Sequence, residues 1–352
     1  MANISANLTE IEVIAPNLKR RLSGVTTTVV RLVPLQAKSI RIVTTGPGLP
    51  ADLPHVALAK MFLLPRGRWR VWHARRNTEM ALGLILRHIF RRRLRLLFTS
   101  AAQRHHKPFT RWLIRRMDRL VATSPQAAGY LECPATVVMH GVNCDTFHPA
   151  EDKVALRKAL GLPENALLIG CFGRIRAQKG VDLLVDAAID LLPSRPDLQI
   201  IFTGRVTEDQ RGFYDEQLAR LTAAGLQERV TFAGEVPWER IVDLYRSLDL
   251  FVAPARWEGF GLTPLEAMAS GVPTVASRVG AFDALIRDGE TGSLVPRDDA
   301  KALTEAIRSW VDDPQRLRSA CPMARAHVLA NHRIESEAEA LVSIYREMLR
   351  VE

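Results

Sequence analysis

The run Leu167 to Val181, LLIGCFGRIRAQKGV, passes from an apolar stretch into a turn with Gly173 and Gly180, and then into residues of helical period. A short apolar run closed by glycine reads as a buried strand, and the change of period after Gly180 as a helix, so the segment is one βα unit. The unit repeats downstream. Strands are expected at Leu198–Thr203, Val230–Phe232, Leu250–Ala253 and Pro273–Ala276, between helices near 181–192, 209–224, 238–247, 264–270 and 299–312. This alternation predicts a doubly wound parallel sheet with a ligand crevice at the carboxyl ends of its strands.

Upstream the theme recurs less cleanly, with strands near Ile11–Ala15, Ile40–Thr44, Val71–His73, Arg95–Thr99, Leu120–Thr123 and Thr136–Met139. Residues 140–165 hold Gly141, Pro149, Gly161 and Pro163, break the period and are expected to contain a connection. Two facing Rossmann-like domains result, 1–145 and 146–333, and a last helix, 334–352, is expected to pack back on the first. A chain of 352 residues suits two domains. Its 47% apolar and 24% charged residues exclude a disordered or fibrous class. Cys133, Cys144, Cys171 and Cys321 form no C-x-x-C pair, which points to no zinc site, no disulfide framework and a reducing cytoplasm. The most apolar window, Met80–Leu86, is cut short by Arg87, so no membrane span is expected.

The second chemical segment runs from Ala253 to Pro273, APARWEGFGLTPLEAMASGVP, and separates Glu258 from Glu266 by seven residues. Thr263 as N-cap, Pro264 as first helical residue and Glu266 three positions after the cap read as a capping box. On spacing alone, Glu266 as a cap partner and Glu258 as a solvated loop acid stand level with a binding role. Gly259-Phe260-Gly261 favours the latter, because small residues let backbone approach a ligand and the helix start offers N–H groups to an anion. Carboxylates beside a phosphate cradle suit a phosphorylated polyhydroxy ligand, a nucleotide sugar. In the first segment Arg174 and Lys179 follow the strand and suit a diphosphate; solvated cations are the bland alternative. Neither a Walker loop nor G-x-G-x-x-G is present.

These two segments resemble the donor half of retaining glycosyltransferases of family 4, and Val138–Pro149 (VMHGVNCDTFHP) and Asp288–Val295 (DGETGSLV) add to the likeness. The resemblance covers about 120–315 strongly and the earlier chain weakly. It implies the GT-B fold, with an acceptor-binding first domain and a donor-binding second. It further implies that Glu258 holds the sugar hydroxyls, Glu266 the ribose, and Arg174 and Lys179 the diphosphate. Gly173 and the backbone of Gly259, Phe260, Gly261, Leu262 and Thr263 would complete the cradle. Val236, in Gly234–Pro237, would border the base. Gly24, in Leu22–Thr27 (LSGVTT), would lie near the phosphate or sugar, although a plain turn explains a lone glycine as well. The family's histidine near the reacting carbon has no direct match after Phe98; His73 is the catalytic candidate, with His105 and His106 as alternatives. No cofactor and no metal are implied beyond the donor itself.

The net charge of +10 is unevenly spread. Residues 1–150 carry 23 Lys+Arg against 7 Asp+Glu, and 151–352 carry 25 against 31. Between Arg66 and Arg119 stand 16 basic residues and two acids, Glu79 and Asp118. Helix 78–93 ending in Arg91, Arg92 and Arg93, and helix 108–117 with Arg111, Arg115 and Arg116, read as an anionic-membrane face; a solvated charged face is the alternative. Each basic residue near such a surface contributes roughly 1 kcal/mol. A nucleic-acid-binding protein is the rival from another class, disfavoured by the lack of interleaved exposed aromatics and of any helix-turn-helix, RNP or zinc signature; an epimerase acting on nucleotide sugars would share the donor site. His105–Arg116 (HHKPFTRWLIRR) also resembles lipopolysaccharide core mannosyltransferases. The resulting expectation is a cytoplasmic enzyme on the inner face of the membrane, moving a hexose, best mannose from GDP-mannose, to a lipid-linked glycan.

Overall fold

The computed structural model describes residues 7–20 and 24–350; Leu22 and Ser23 of the glycine-containing segment lie outside them. The chain divides into two units, residues to His140 plus those from Ile334 onward, and Gly141–Arg333. The division falls at 140/141 rather than 145/146, and the last helix belongs to the first unit.

In unit 1 the elements are β1 (Val13–Pro16), α1 (Gly24–Gln36), β2 (Ile42–Thr45), β3 (Arg70–Ala74), α2 (Asn77–His88), β4 (Leu94–Ser100), α3 (Pro108–Ile114), β5 (Arg119–Ala122), α4 (Pro125–Gly129) and β6 (Thr136–Val137). All strands pair parallel, in the order β2-β1-β3-β4-β5-β6. Unit 2 opens with α5 (Lys153–Leu160), inside the stretch expected to be irregular. It continues with β7 (Leu167–Phe172), α6 (Val181–Leu191), β8 (Leu198–Thr203), α7 (Arg211–Ala223), β9 (Val230–Phe232) and α8 (Trp238–Ser247). After these come β10 (Leu250–Ala253), α9 (Thr263–Ala269), β11 (Thr274–Ser277), α10 (Phe282–Leu285), β12 (Gly292–Val295), α11 (Ala300–Val311) and α12 (Pro314–Asn331). Its parallel order is β12-β11-β10-β7-β8-β9, so direction reverses between β7 and β10. In such a sheet the crevice opens beyond the carboxyl ends of those two strands.

Strands buried on both faces explain the unbroken apolar runs. In unit 1, Ile14, Trp72 and Leu96 pack with Met80 and Leu84 of α2 on one face. Val13, Val71 and Leu97 pack on the other against α1 and the final helix, α13 (Ile334–Arg350). The buried positions Ile334, Ala338, Leu341, Tyr345 and Met348 of α13 recur every three or four residues, as a one-sided helix requires.

Buried His73, the catalytic candidate from sequence, is part of this docking. Its Nδ1 lies 2.6 Å from the Tyr345 hydroxyl and its Nε2 2.6 Å from Thr99 Oγ1, and Gln36 Nε2 donates to Tyr345 at 3.4 Å. The proton arrangement that satisfies these contacts has Tyr345 donating to Nδ1 and Nε2–H donating to Thr99, so both ring nitrogens are occupied. Burial, then Arg75, holds its pKa well below the usual histidine value. His105 pairs with Glu132 at 3.1 Å, and His106 approaches Ser100 Oγ at 3.4 Å.

The basic face also differs from expectation. Helix α2 stops at His88, and Arg91 adopts φ +52 in the turn that follows. Arg92 turns inward and donates to the carbonyls of Phe62 and Leu64, the latter at 2.7 Å, so it is not part of an outer face. Helix α3 ends at Ile114, before Arg115 and Arg116. Aromatic residues do interleave here: Phe109 and Trp112 are exposed and stack with centroids 6.1 Å apart, and the Arg116 guanidinium lies 3.8 Å over the Trp112 ring. The basic face therefore does carry exposed aromatics, contrary to the expectation, and only the missing nucleic-acid-binding signatures still stand against that rival. Among the described residues no helix is long and apolar enough to cross a membrane.

His332, at the end of α12, is likewise pushed down to about 4, by burial and then by His327. Both histidines are neutral in the folded chain and gain a proton in the unfolded one below about pH 6.5. Stability is therefore full above that pH and falls as pH drops, for His332 by about 1.4 kcal/mol per pH unit until about pH 4. In denaturation experiments across this window, His332→Gln is expected to flatten the decline; a profile parallel to the parent's would contradict the assignment.

Candidate functional site

The two segments singled out from sequence meet where unit 2's strand order reverses. Residues 173–180 leave the end of β7, residues 254–262 leave the end of β10, and they border an open cleft of about 340 Å³. Its lining includes Phe172, Gly173, Arg174, Lys179, Pro254, Glu258, Thr263 and Phe282.

Close backbone approach joins the loops. A Cβ on Gly180 (φ +69) would stand 1.9 Å from the Pro254 carbonyl oxygen, and one on Gly261 (φ +85) 2.3 Å from the Phe282 ring. No L side chain fits either place without moving backbone or ring. Around this contact Arg256 N donates to Gln178 O at 2.9 Å and Gln178 Nε2 to Trp257 O at 3.1 Å. The Arg256 guanidinium grips Asp182 at 2.7 and 2.8 Å and Asp298 at 2.6 Å, and these carboxylates raise its pKa.

Lys179 Nζ forms an ion pair with Glu258 Oε2, and Gly259 N donates to Glu258 Oε1 at 2.9 Å. Arg174 is exposed and has no ion-pair partner among the described residues. The cleft thus carries a cation available to an anion, a second cation paired with a carboxylate, and a carboxylate able to accept from hydroxyls. Cys171, beneath it, has its thiol pushed up to about 12 by burial, so it stays protonated near neutral pH and is no nucleophile.

Glu266 stands in the first turn of α9, but no capping box forms. The N-cap is Leu262 in helical conformation, Thr263 is the first helical residue, and no side chain caps the helix. The Glu266 carboxylate instead accepts from the Tyr245 hydroxyl at 2.9 Å. Tyr245 is buried among Phe147, Phe172 and Phe251, and burial, then the charge and hydrogen bond of Glu266, raise its pKa well above that of a free phenol. Sequence reasoning missed Tyr245 and Arg256. A tyrosine on the buried face of α8 needs a hydrogen-bond partner, which is the signal that was available for the first. Arg256 gave none, since Asp182 and Asp298 lie far from it in sequence.

Phe260 is buried, whereas Gly259, Gly261 and Leu262 are partly accessible around the start of α9. Val236 sits half-buried in the turn before α8 and is not part of the cleft lining. Gly24, in unit 1, is exposed as the first residue of α1, with nothing within 4 Å of a Cβ placed there. Among the described residues no group of three or more His, Cys, Asp or Glu is placed to hold a metal ion.

Comparison with known proteins bears on what this cleft does. Residues 152–326 match the family described as "Glycosyl transferases group 1". The chain is 49% identical over 351 residues, 98% of its length and 99% of the relative's, to the lipopolysaccharide core biosynthesis mannosyltransferase LpsB of Rhizobium meliloti. It is 51% identical over 351 residues, 97% of its length and 98% of the relative's, to the lipopolysaccharide core biosynthesis mannosyltransferase LpcC of Rhizobium leguminosarum. Among solved structures, the C-terminal domain of a group 1 protein, LpcC of Francisella tularensis, aligns with TM-score 0.53 and 31% identity, covering 55% of this chain and all of that one. Anabaena Alr3699/HepE in complex with UDP aligns with TM-score 0.83 over 96% of this chain and all of that one, at 19% identity, which shows a shared GT-B fold.

Inorganic pyrophosphate is expected to raise the thermal midpoint of the protein by mass action. Arg174→Ala should remove most of that shift while leaving the ligand-free midpoint unchanged, because the side chain is exposed. An undiminished shift in the variant would exclude Arg174 from anion binding.

Proposed function

Because the chain belongs to the glycosyl transferases of group 1, we propose that it moves mannose from GDP-mannose to a lipid-linked glycan of the lipopolysaccharide core. The observation that carries this reading is identity of about half over nearly the full length to two proteins named for that activity. The cleft of unit 2 supports it with cations for a diphosphate and a carboxylate for hydroxyls in one place.

In this reading Arg174 and Lys179 stabilise the diphosphate as it gains charge on leaving, with Gly173 and the backbone from Gly259 to Thr263 closing around it. Glu258 exchanges its contact with Lys179 for hydroxyls of the sugar, Lys179 turning to the phosphate. Glu266, steadied by Tyr245, takes the ribose, and Val236 borders the base. Transfer proceeds with retention at the anomeric carbon. The bond from that carbon to the diphosphate oxygen breaks, the acceptor oxygen bonds on the same face, and the acceptor's proton passes to the departing diphosphate. The scheme needs no metal and no cofactor. Unit 1 takes the acceptor. Arg91, Arg93, Arg111, Arg115 and Arg116, with Phe109 and Trp112 between them, rest against an anionic membrane on the cytoplasmic side, the aromatic rings at headgroup depth.

With purified protein and a core glycan, GDP-mannose is expected to be the donor used from a set that also holds UDP-glucose, UDP-galactose and UDP-N-acetylglucosamine. Transfer from none, or preferentially from a UDP sugar, would overturn the mannose reading. Tyr245→Phe keeps the aromatic packing and removes one charge-assisted hydrogen bond, so donor KM should rise roughly tenfold with the fold intact; an unchanged KM would remove Tyr245 from the donor site. In flotation with liposomes, binding should require anionic lipid and weaken on Trp112→Ser. Binding to neutral and anionic liposomes alike, or preference for oligonucleotides over both, would contradict the membrane role.

A further inference from the structure

Unit 1 holds a recess of its own, lined by residues of α1, β3, β4, β5 and α13, by Arg75 just after β3 and by residues just after β6. Thr28, His73, Arg75, Thr99, His140 and Glu337 are among its lining.

Arg75 stands out there. The residue is 9% exposed, and its guanidinium meets only neutral groups: the His73 carbonyl at 3.3 Å, His73 Nδ1 at 3.3 Å and the Tyr345 hydroxyl. Among the described residues no carboxylate pairs with it. The two nearby acids, of which Glu337 lines the same recess, have other partners. Glu79 accepts from Arg76 at 2.7 Å and from the backbone N of Arg75 at 2.7 Å, and Glu337 pairs with His140 at 2.6 Å. His73, kept neutral, adds no compensating charge. A buried guanidinium with no carboxylate in direct contact is costly, and packing alone would be served as well by a neutral side chain. Arginine's fork matches a phosphate or a carboxylate with two parallel hydrogen bonds.

We propose that Arg75 and the recess around it bind a single anionic substituent, a phosphate or a carboxylate, carried by the acceptor glycan. Arg75 then selects acceptors by charge, with Thr28 and Thr99 able to hydrogen-bond neighbouring hydroxyls. The inference rests on the reading of the chain as a glycosyltransferase acting on a lipopolysaccharide core.

Calorimetric titration tests it, using a purified core oligosaccharide as isolated, after phosphatase treatment and after carboxyl reduction. One of the two treatments should weaken binding to the wild type roughly tenfold and so identify the anion. Arg75→Gln should bind the untreated glycan about tenfold more weakly and respond to neither treatment, with its affinity for GDP unchanged. Arg75→Lys, which keeps the charge and loses the fork, should fall between them and retain sensitivity to the same treatment, which also covers the case of an unfolded Arg75→Gln. The proposal is overturned if the wild type binds no form of the glycan or ignores both treatments, if Arg75→Gln responds as the wild type does, or if it loses GDP affinity, since Arg75 would then serve the donor. A wild type that transfers from GDP-mannose yet ignores both treatments sinks this inference alone; failure to transfer from any donor sinks the functional reading itself.

Discussion

The contact between Gly180 and the Pro254 carbonyl sets the geometry of unit 2's cleft. It brings the loop after β7 onto the loop after β10 at a separation that no Cβ permits. Lys179 and Glu258 come within ion-pair reach because their neighbours are already pressed together. The Arg256 clamp ties the loop after β10 to Asp182 in the first turn of α6 and to Asp298 after β12. These ion pairs are partly solvated, so each adds little to global stability by itself. Their effect is local: they limit where two cations and a carboxylate stand relative to one another, which a charge-stabilising site requires.

Charge divides along the chain in the same sense as the proposed labour. A mildly acidic second part needs only a local pair of cations to hold a nucleoside diphosphate. The basic first part spreads its charge over a surface, as suits a partner that is itself extended and anionic. Within it, two arginines have left that surface. Arg92 is spent on carbonyl groups, and Arg75 is held in a recess where charge has a cost unless an anion answers it. Helix α13, joined through Tyr345 to His73, closes the face of the sheet beside that recess.

Much of unit 2 was legible in sequence. The strands at Leu167, Leu198, Val230 and Leu250 are short, mainly apolar runs between turns and helical stretches, and they begin and end where the pattern changes. What could not be read depends on distant partners or on local backbone choice. His73 and Tyr345 stand 272 positions apart, so the histidine's part in docking α13 had no local sign. Thr263 lost its capping role because Leu262 already has helical torsions, which left Glu266 to Tyr245. Helix α12 carries Pro322 in its interior, a residue that normally ends a helix, and was hidden by it. Strand β12 is four residues long and begins at Gly292, too short for a period to show.

The most direct test of the account is a calorimetric titration of GDP-mannose into the wild type and into folded Gly180→Ala. The added methyl group must push the two loops apart, so the account predicts at least a roughly tenfold loss of donor affinity, about 1.4 kcal/mol, with overall helicity retained. Equal affinity of the two proteins for GDP-mannose would contradict it.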